Sequence, residues 1–271
     1  MANKNITLTL DLEDWAYDFK VKHGFKRIEP KNEEALITAV ERFAQLGENQ
    51  VSRSSCIVFV TGNVIANYPN VMSVVQEYGF TIGCHCYDHL SVRKRQIDEL
   101  SNDIKRFFDT AHGNSIEVSP LFRAPMFSVT DSDQEHLNLI FEYFKVESGI
   151  ISNKVTTGGK HLPVTAKNFG LFTFKLGGSY LSWAPKVMVR LFAFLWRDED
   201  NIHIYLHPYE LVPQPDFALS FSELREKFNV MKSIYYFLRQ RQWNNSNGFW
   251  MYEKVEILKR GRKVYAKNDF E

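Results

Sequence analysis

Phe80-Thr81-Ile82-Gly83-Cys84-His85-Cys86-Tyr87-Asp88-His89 is the stretch from which the rest of the chain can be read. A short apolar run ends at one histidine, and a second histidine follows four residues later. The run has the length and composition of a buried strand. A neutral imidazole is the commonest transition-metal ligand at neutral pH. Two imidazoles at i and i+4 share one face of a helical turn, so His85 and His89 can reach one ion. A third ligand is needed, and the acidic group Asp11, Glu13 and Asp14 can supply it.

The unit, a strand that ends in a polar side chain, recurs along the chain. Ile6 to Leu10 alternates apolar residues with threonine and ends at Asp11. Cys56 to Val60 is a continuous apolar run, as expected of a strand covered on both faces. Extended segments over 120–123 and 143–147 end at Arg123 and Glu147, and Ile202 to Leu206 ends at His207. Helical spacing fills the intervals. It runs through Leu36, Val40, Phe43 and Leu46, from Asn63 to Tyr78, over 97–111 and 130–142, from Pro185 to Trp196, and over 220–241. Residues 153–170, with Gly158-Gly159, read as a loop before a strand near 171–175, and the tail beyond 250 reads as a short strand pair. Such alternation means a parallel sheet, open or closed into a barrel, within one domain spanning 1–271. In a parallel barrel the C-terminal strand ends open onto one face, which carries the active site.

The 271 residues carry 33 basic and 32 acidic side chains, a net charge of +1, which offers no general argument for nucleic-acid or membrane binding. Three cysteines, Cys56, Cys84 and Cys86, are too few for a disulfide framework and suit a reducing compartment. Cys84 and Cys86 flank His85 and point away from it, so they read as small buried hydrophobes. The chain starts directly into a strand without an apolar leader, and no stretch reaches the ~20 apolar residues of a bilayer span. The expectation is a cytoplasmic protein. The apolar helix 185–196 reads as buried against a neighbour or an oligomer partner, and the basic run 259–263 as a solvated face.

Five motifs in order resemble one family, the polysaccharide deacetylases, also called NodB-homology or carbohydrate esterase family 4 proteins. Thr9-Leu10-Asp11-Leu12-Glu13-Asp14-Trp15 resembles the first acidic motif, and His85-Cys86-Tyr87-Asp88-His89 matches the His-x-x-x-His motif. Arg123-Ala124-Pro125-Met126-Phe127 resembles the Arg-x-Pro-x-aromatic motif, Glu147-Ser148 stands where the family has Asp-Ser, and Leu206-His207-Pro208 matches the closing Leu-His-Pro. The Asp-x-Glu-Asp-Trp spacing, with Gly177-Gly178-Ser179-Tyr180 and Tyr209 after His207-Pro208, is similar to a subgroup found in exopolysaccharide, capsule or lipopolysaccharide assembly.

The resemblance implies an α/β fold, a distorted (β/α)7 TIM-like barrel, and removal of an N-acetyl or other N-acyl group from an amino sugar. The substrate would be a surface glycan or a nucleotide- or lipid-linked precursor. It implies a divalent metal, Zn2+ first and Co2+, Ni2+ or Fe2+ as alternatives, held by His85, His89 and a carboxylate. Spacing favours Asp14 for that carboxylate, with Glu13 the alternative. Asp11 would be the general base, Arg123 its partner, and His207 the general acid. A backbone N–H near Met126 would receive the oxyanion, with Pro125 and Phe127 beside it. Glu147 would orient Arg123 or His207. A non-sugar amidase and a non-catalytic glycan-binding relative are the competing readings.

Overall fold

The computed structural model describes residues 5–47, 56–149, 151–152, 161–168, 170, 173–212, 215–244, 248–260 and 263–264. β1 (Asn5–Leu12) leads into α1 (Trp15–His23) and α2 (Glu33–Gly47), then β2 (Cys56–Val60), α3 (Gly62–Asn67) and α4 (Pro69–Glu77). β3 (Thr81–Cys84), α5 (Ile97–Gly113), β4 (Leu121–Phe122), α6 (Gln134–Tyr143) and β5 (Val146–Glu147) continue the alternation. β6 (Ile151–Ser152), β7 (Val164–Asn168) and β8 (Thr173–Lys175) form a small second sheet, followed by α7 (Gly178–Trp183) and α8 (Lys186–Leu195). β9 (Asn201–Leu206), α9 (Pro208–Leu211), α10 (Phe221–Lys227), α11 (Val230–Trp243), α12 (Gly248–Lys259) and β10 (Lys263–Val264) complete the chain.

The main sheet has seven strands, all paired in parallel. β1 lies at its centre, with Leu8 opposite Cys56 of β2 and Asn5 opposite Asn201 of β9. β3, β4 and β5 extend the β2 side, and β10 joins the first residues of β1. The sheet curls, and β7 fills the gap between β5 and β9. There the Leu162 N–H donates to the Glu147 carbonyl, and the His203 N–H donates to Thr165 Oγ1. The fold is thus the distorted parallel barrel expected of the sequence.

Period-two alternation divides the strand residues between two cores. Ile6, Leu8, Leu10 and Leu12 of β1 face the helical layer, as do Ile82 and Cys84 of β3 and Ile202, Ile204 and Leu206 of β9. The opposite set fills the inside of the curl. Ile57, Phe59, Leu121, Val146 and Leu162 pack there as a separate apolar plug. All three cysteines are free and buried, with Cys84 and Cys86 in the outer core.

Several local readings are corrected. The segment after Asn63 is two helices, because Pro69 opens a new one at its first turn. The long helix over 220–241 is also two, since the Asn229 side chain caps a fresh start by accepting the Lys232 N–H at 2.9 Å. Residues 164–168 form a strand rather than loop, and 153–160 lie outside the described residues. The tail holds a helix, Gly248–Lys259, whose Met251, Val255 and Leu258 are buried at helical spacing. Lys259 of the supposed solvated run is buried and donates to the Leu46 carbonyl at 2.6 Å. α1 was not foreseen; Asp14 caps its start and Gly24 (φ 60) ends it.

Gly177 sits at φ 144, and a Cβ there would lie 2.1 Å from the Tyr205 carbonyl oxygen, which cannot give way. Gly177→Ala should therefore cost about 2 kcal/mol or more, measured by urea denaturation. Gly113→Ala, with nothing within 4 Å of the new Cβ, is the control and should stay within about 0.5 kcal/mol of the parent.

Candidate active site

The inner face at the C-terminal ends of the strands carries the polar residues. One ligand atom each from Glu13, His85 and His89 lies within 4.8 Å of the others, a constellation able to hold a metal ion. His85 Nδ1 donates to the Arg123 carbonyl at 2.8 Å, because a carbonyl only accepts. Its Nε2 therefore keeps a free lone pair. Burial, with His89 nearby, pushes the His85 pKa well below its usual range, so this ring is neutral. His89 Nε2 lies 2.7 Å from Glu13 Oε2. That contact is not aligned as a hydrogen bond, and Glu13 Oε2 has no hydrogen-bond partner among the described residues. Two buried donor atoms pressed together without a hydrogen bond are suited to a shared cation.

The histidines do not converge on a helical turn. Residues 85–90 form a bent loop in which Cys86 adopts φ 63. The start of α3 holds one side, where the Gly62 and Asn63 N–H groups donate to the Cys86 and Tyr87 carbonyls at 3.0 and 3.2 Å. Asp103 of α5 holds the other, accepting the Tyr87 N–H at 2.7 Å while paired with Arg95 Nη1 at 2.7 Å.

Asp14, favoured over Glu13 by spacing, does not join the histidines. Its carboxylate caps α1 through the Tyr17 N–H at 3.1 Å. It also accepts the Asn32 amide at 3.0 Å and the Tyr68 hydroxyl at 2.5 Å. Strand alternation explains the exchange: Asp11 and Glu13 share the inner side, whereas Asp14 continues the outer one. Burial pushes the Asp14 carboxyl above its usual range. Burial acts likewise on Glu13, but the positive charge of His89, 2.7 Å away, outweighs it and holds Glu13 below.

Arg123 is wholly buried, and its guanidinium N–H groups all find acceptors. Nη1 donates to Asp11 Oδ1 at 2.5 Å and Thr9 Oγ1 at 2.7 Å. Nη2 donates to Ser148 Oγ at 2.9 Å and His203 Nε2 at 2.8 Å, and Nε to the Ser148 carbonyl at 3.3 Å. His203 can accept because its Nδ1 donates to the Pro163 carbonyl at 3.2 Å, and because burial and then Arg123 drive its pKa well down. Glu147, expected to orient Arg123 or His207, does neither: its carboxylate turns back to the Gly149 N–H, and His161 Nδ1 lies 3.6 Å away. Thr9, Ser148 and His203 are the supports that motif reading missed. His203 shares its strand face with Tyr205 and His207, and that period-two spacing was the available signal.

His207 Nε2 stands 3.9 Å from both Asp11 Oδ2 and Glu13 Oε1, and its Nδ1 is 3.3 Å from Glu210 Oε1. Burial disfavours its charged form, yet Glu210, Glu13 and Asp11 prevail and raise its pKa to about 9. Tyr209 stacks on the ring at a centroid distance of 4.9 Å, and its hydroxyl donates to Glu13 Oε1 at 3.4 Å. These groups open into a cavity of about 170 Å³, which Trp15, Asp18, Met126, Phe127 and Arg239 also line. Asp18 accepts the Asn63 amide at 2.8 Å, and burial above all raises its pKa to about 8. Pro125 is buried behind the wall, and Met126 (φ 58) and Phe127 (φ 52) turn the chain in the left-handed region.

A comparison with curated proteins finds no match. Solved structures share the fold. A Mycobacterium smegmatis protein assigned to the polysaccharide deacetylases aligns over 98% of this chain and 94% of its own, at 13% identity and a TM-score of 0.54. A mutant of the peptidoglycan deacetylase PdaC from Bacillus subtilis aligns over 98% of this chain and 89% of its own, at 12% identity and a TM-score of 0.51. A mutant of a family 4 pseudoenzyme from Bacillus anthracis, with restored enzymatic activity, aligns over 97% and 65% of the two chains at 11% identity and a TM-score of 0.51. A family model described as "Polysaccharide deacetylase" matches residues 50–138, which run from ahead of β2 through the histidine loop and Arg123 into α6. That match falls on β2, β3 and β4 and the loops after them, the part of the barrel that carries His85, His89 and Arg123.

Proposed function

We propose that the chain is a metal-dependent hydrolase that removes the N-acetyl or another N-acyl group from an amino sugar in a cell-surface glycan or its nucleotide- or lipid-linked precursor. The observation that supports this most directly is the Glu13–His85–His89 cluster at one cavity with Asp11 and His207. Glu13 Oε2, the neutral His85 and His89 would hold the ion, Zn2+ first on the nitrogen-rich donor set, with Co2+, Ni2+ or Fe2+ as alternatives. When bound, such an ion polarises the acyl carbonyl and lowers the pKa of water beside it.

The chain's own groups handle the protons. Asp11, oriented by Arg123, takes the proton of the attacking water as the new C–O bond forms. The main chain at Met126 faces the developing oxyanion. His207, protonated at neutral pH, delivers its proton to the amide nitrogen as the C–N bond breaks, leaving acetate and the amine. Trp15 and Tyr209 supply flat apolar surface for a sugar ring, and Asp18 a carboxyl for its hydroxyls.

Asp11→Asn and His85→Ala should each lower kcat/KM for acetate release by about 10²–10⁴-fold, and wild-type rates in either would refute the roles given. A panel of N-acetylated oligosaccharides beside non-sugar amides, scored for acetate and ammonia, separates glycan deacetylation from general amidase activity.

The carboxylate ligand is tested by isothermal titration with Zn2+. Glu13→Gln should weaken binding by about a hundredfold or more, whereas Asp14→Asn should leave affinity within about threefold and lower stability by about 1 kcal/mol.

In metal-free protein the His207 imidazole should titrate near 9 by NMR, and Glu210→Gln should move it down toward 6.5. A raised folded-state pKa stabilises fully below 6.5 and loses that contribution as pH rises through about 9. Urea midpoints should therefore fall across this interval in the parent and fall less in Glu210→Gln.

A further inference from the structure

Two helices, of which α11 reaches the cavity through Arg239, expose apolar side chains where a water-facing surface is polar. α8 is apolar apart from Lys186 and Arg190. Val189 and Phe192 are buried, while Val187, Leu191 and Phe194 on the other face are 70%, 53% and 55% exposed. On α11, Ser233 and Gln240 are buried and Tyr236 and Phe237 pack inward, while Met231, Ile234 and Leu238 are 75%, 40% and 57% exposed. Large apolar side chains exposed along two helices mark a surface made for a non-aqueous neighbour. α7 packs against α11 and leads directly into α8, and its Trp183 is 63% exposed. A shallow apolar groove bounded by Tyr180, Trp183, Pro185 and Met188 joins α7 to α8, and with α7 packed on α11 the three helices are contiguous.

Its charge selects among occupants. Residues 178–197 and 230–243 contain Lys186, Arg190, Arg197, Lys232, Arg239 and Arg241 and no acid, in a chain of 33 basic and 32 acidic residues. Lys186 pairs with Glu253 and Arg197 with Asp198, and the acids over 198–200 lie at the start of β9, the barrel end away from the mouth. A second copy seated symmetrically on this face would bring cations against cations. Exposed leucine, methionine and phenylalanine, an interfacial tryptophan and a cationic fringe instead match an anionic lipid headgroup layer.

We propose that the outer faces of α7, α8 and α11 dock the protein on an anionic bilayer surface, lying on it rather than crossing it. Among the described residues no helix is long and apolar enough to cross a membrane. Arg239 of α11 also lines the catalytic cavity, so docking brings the mouth close to the headgroups. There a glycan on a lipid carrier would enter directly, a step that rests on the deacetylase reading; the docking itself does not.

The test is co-sedimentation of the full chain with vesicles of phosphatidylcholine alone or with about 30% phosphatidylglycerol. The expected result is binding to the anionic vesicles, at least about tenfold weaker on neutral ones and weakened by about 0.5 M salt. Leu191→Glu with Leu238→Glu, both on exposed positions, should reduce binding about tenfold or more with thermal unfolding unchanged. Arg190→Glu with Lys232→Glu should abolish only the preference for anionic lipid. No binding by the parent, or equal binding by the Leu191/Leu238 variant, overturns the proposal. So does a parent dimer in sedimentation velocity that the same variant dissolves while neither protein binds vesicles.

Discussion

Side chains on a strand alternate, and in a curled parallel sheet that alternation has only two destinations. In this protein the outward set is apolar and joins the helical core, and the inward set is split along its length. Ile57, Phe59, Leu121, Val146 and Leu162 fill the inside of the curl. Toward the C-terminal ends the same inner positions become Asp11, Glu13, His85, Arg123 and His207. The site is the place where the inner face changes from packing to chemistry, and a one-residue slip in any strand would send its functional side chain into the outer core.

Arg123 makes the arrangement mutually dependent. A buried guanidinium is costly unless its donors are satisfied, and here the acceptors come from β1, from Ser148 just past β5, and from β9. The Arg123 carbonyl in turn sets the tautomer of His85. Asp11, one imidazole of the cluster and the closure of the barrel thus share one side chain. Removing it would strand Asp11 in a site with 2% exposure. His203 bears part of this load only because it is neutral; protonated, it would place a second cation on Arg123.

The barrel was legible because β1, β3, β4, β5 and β9 are apolar runs that end at a charged or imidazole residue, and the histidine pair because its spacing is unusual. Spacing favours Asp14 over Glu13, and motif position gives Glu147 a place beside Arg123 or His207, whereas side-chain parity sets Glu13 beside the histidines and Ser148 beside Arg123. Carried two residues past Asp11, parity selects Glu13; carried from Val146, it selects Ser148. The helix over 248–259 was missed although Met251, Val255 and Leu258 have helical spacing. In α8 the apolar pattern holds, with Val189 and Phe192 buried in the chain and Val187, Leu191 and Phe194 exposed on the other face.

An acid and a base 3.9 Å apart would ordinarily neutralise each other. Here each has its own counter-charge: Arg123 on Asp11, and Glu210 beside the far nitrogen of His207. Glu210 is anchored by accepting the His207 backbone N–H at 2.9 Å, at the first turn of α9. The proton on His207 is therefore held from behind as well as from the side of Asp11, and Nε2 stays turned to the cavity where a leaving nitrogen would sit. Under the proposed deacetylation, these separate counter-charges would let Asp11 accept a proton and His207 release one without either taking the other's.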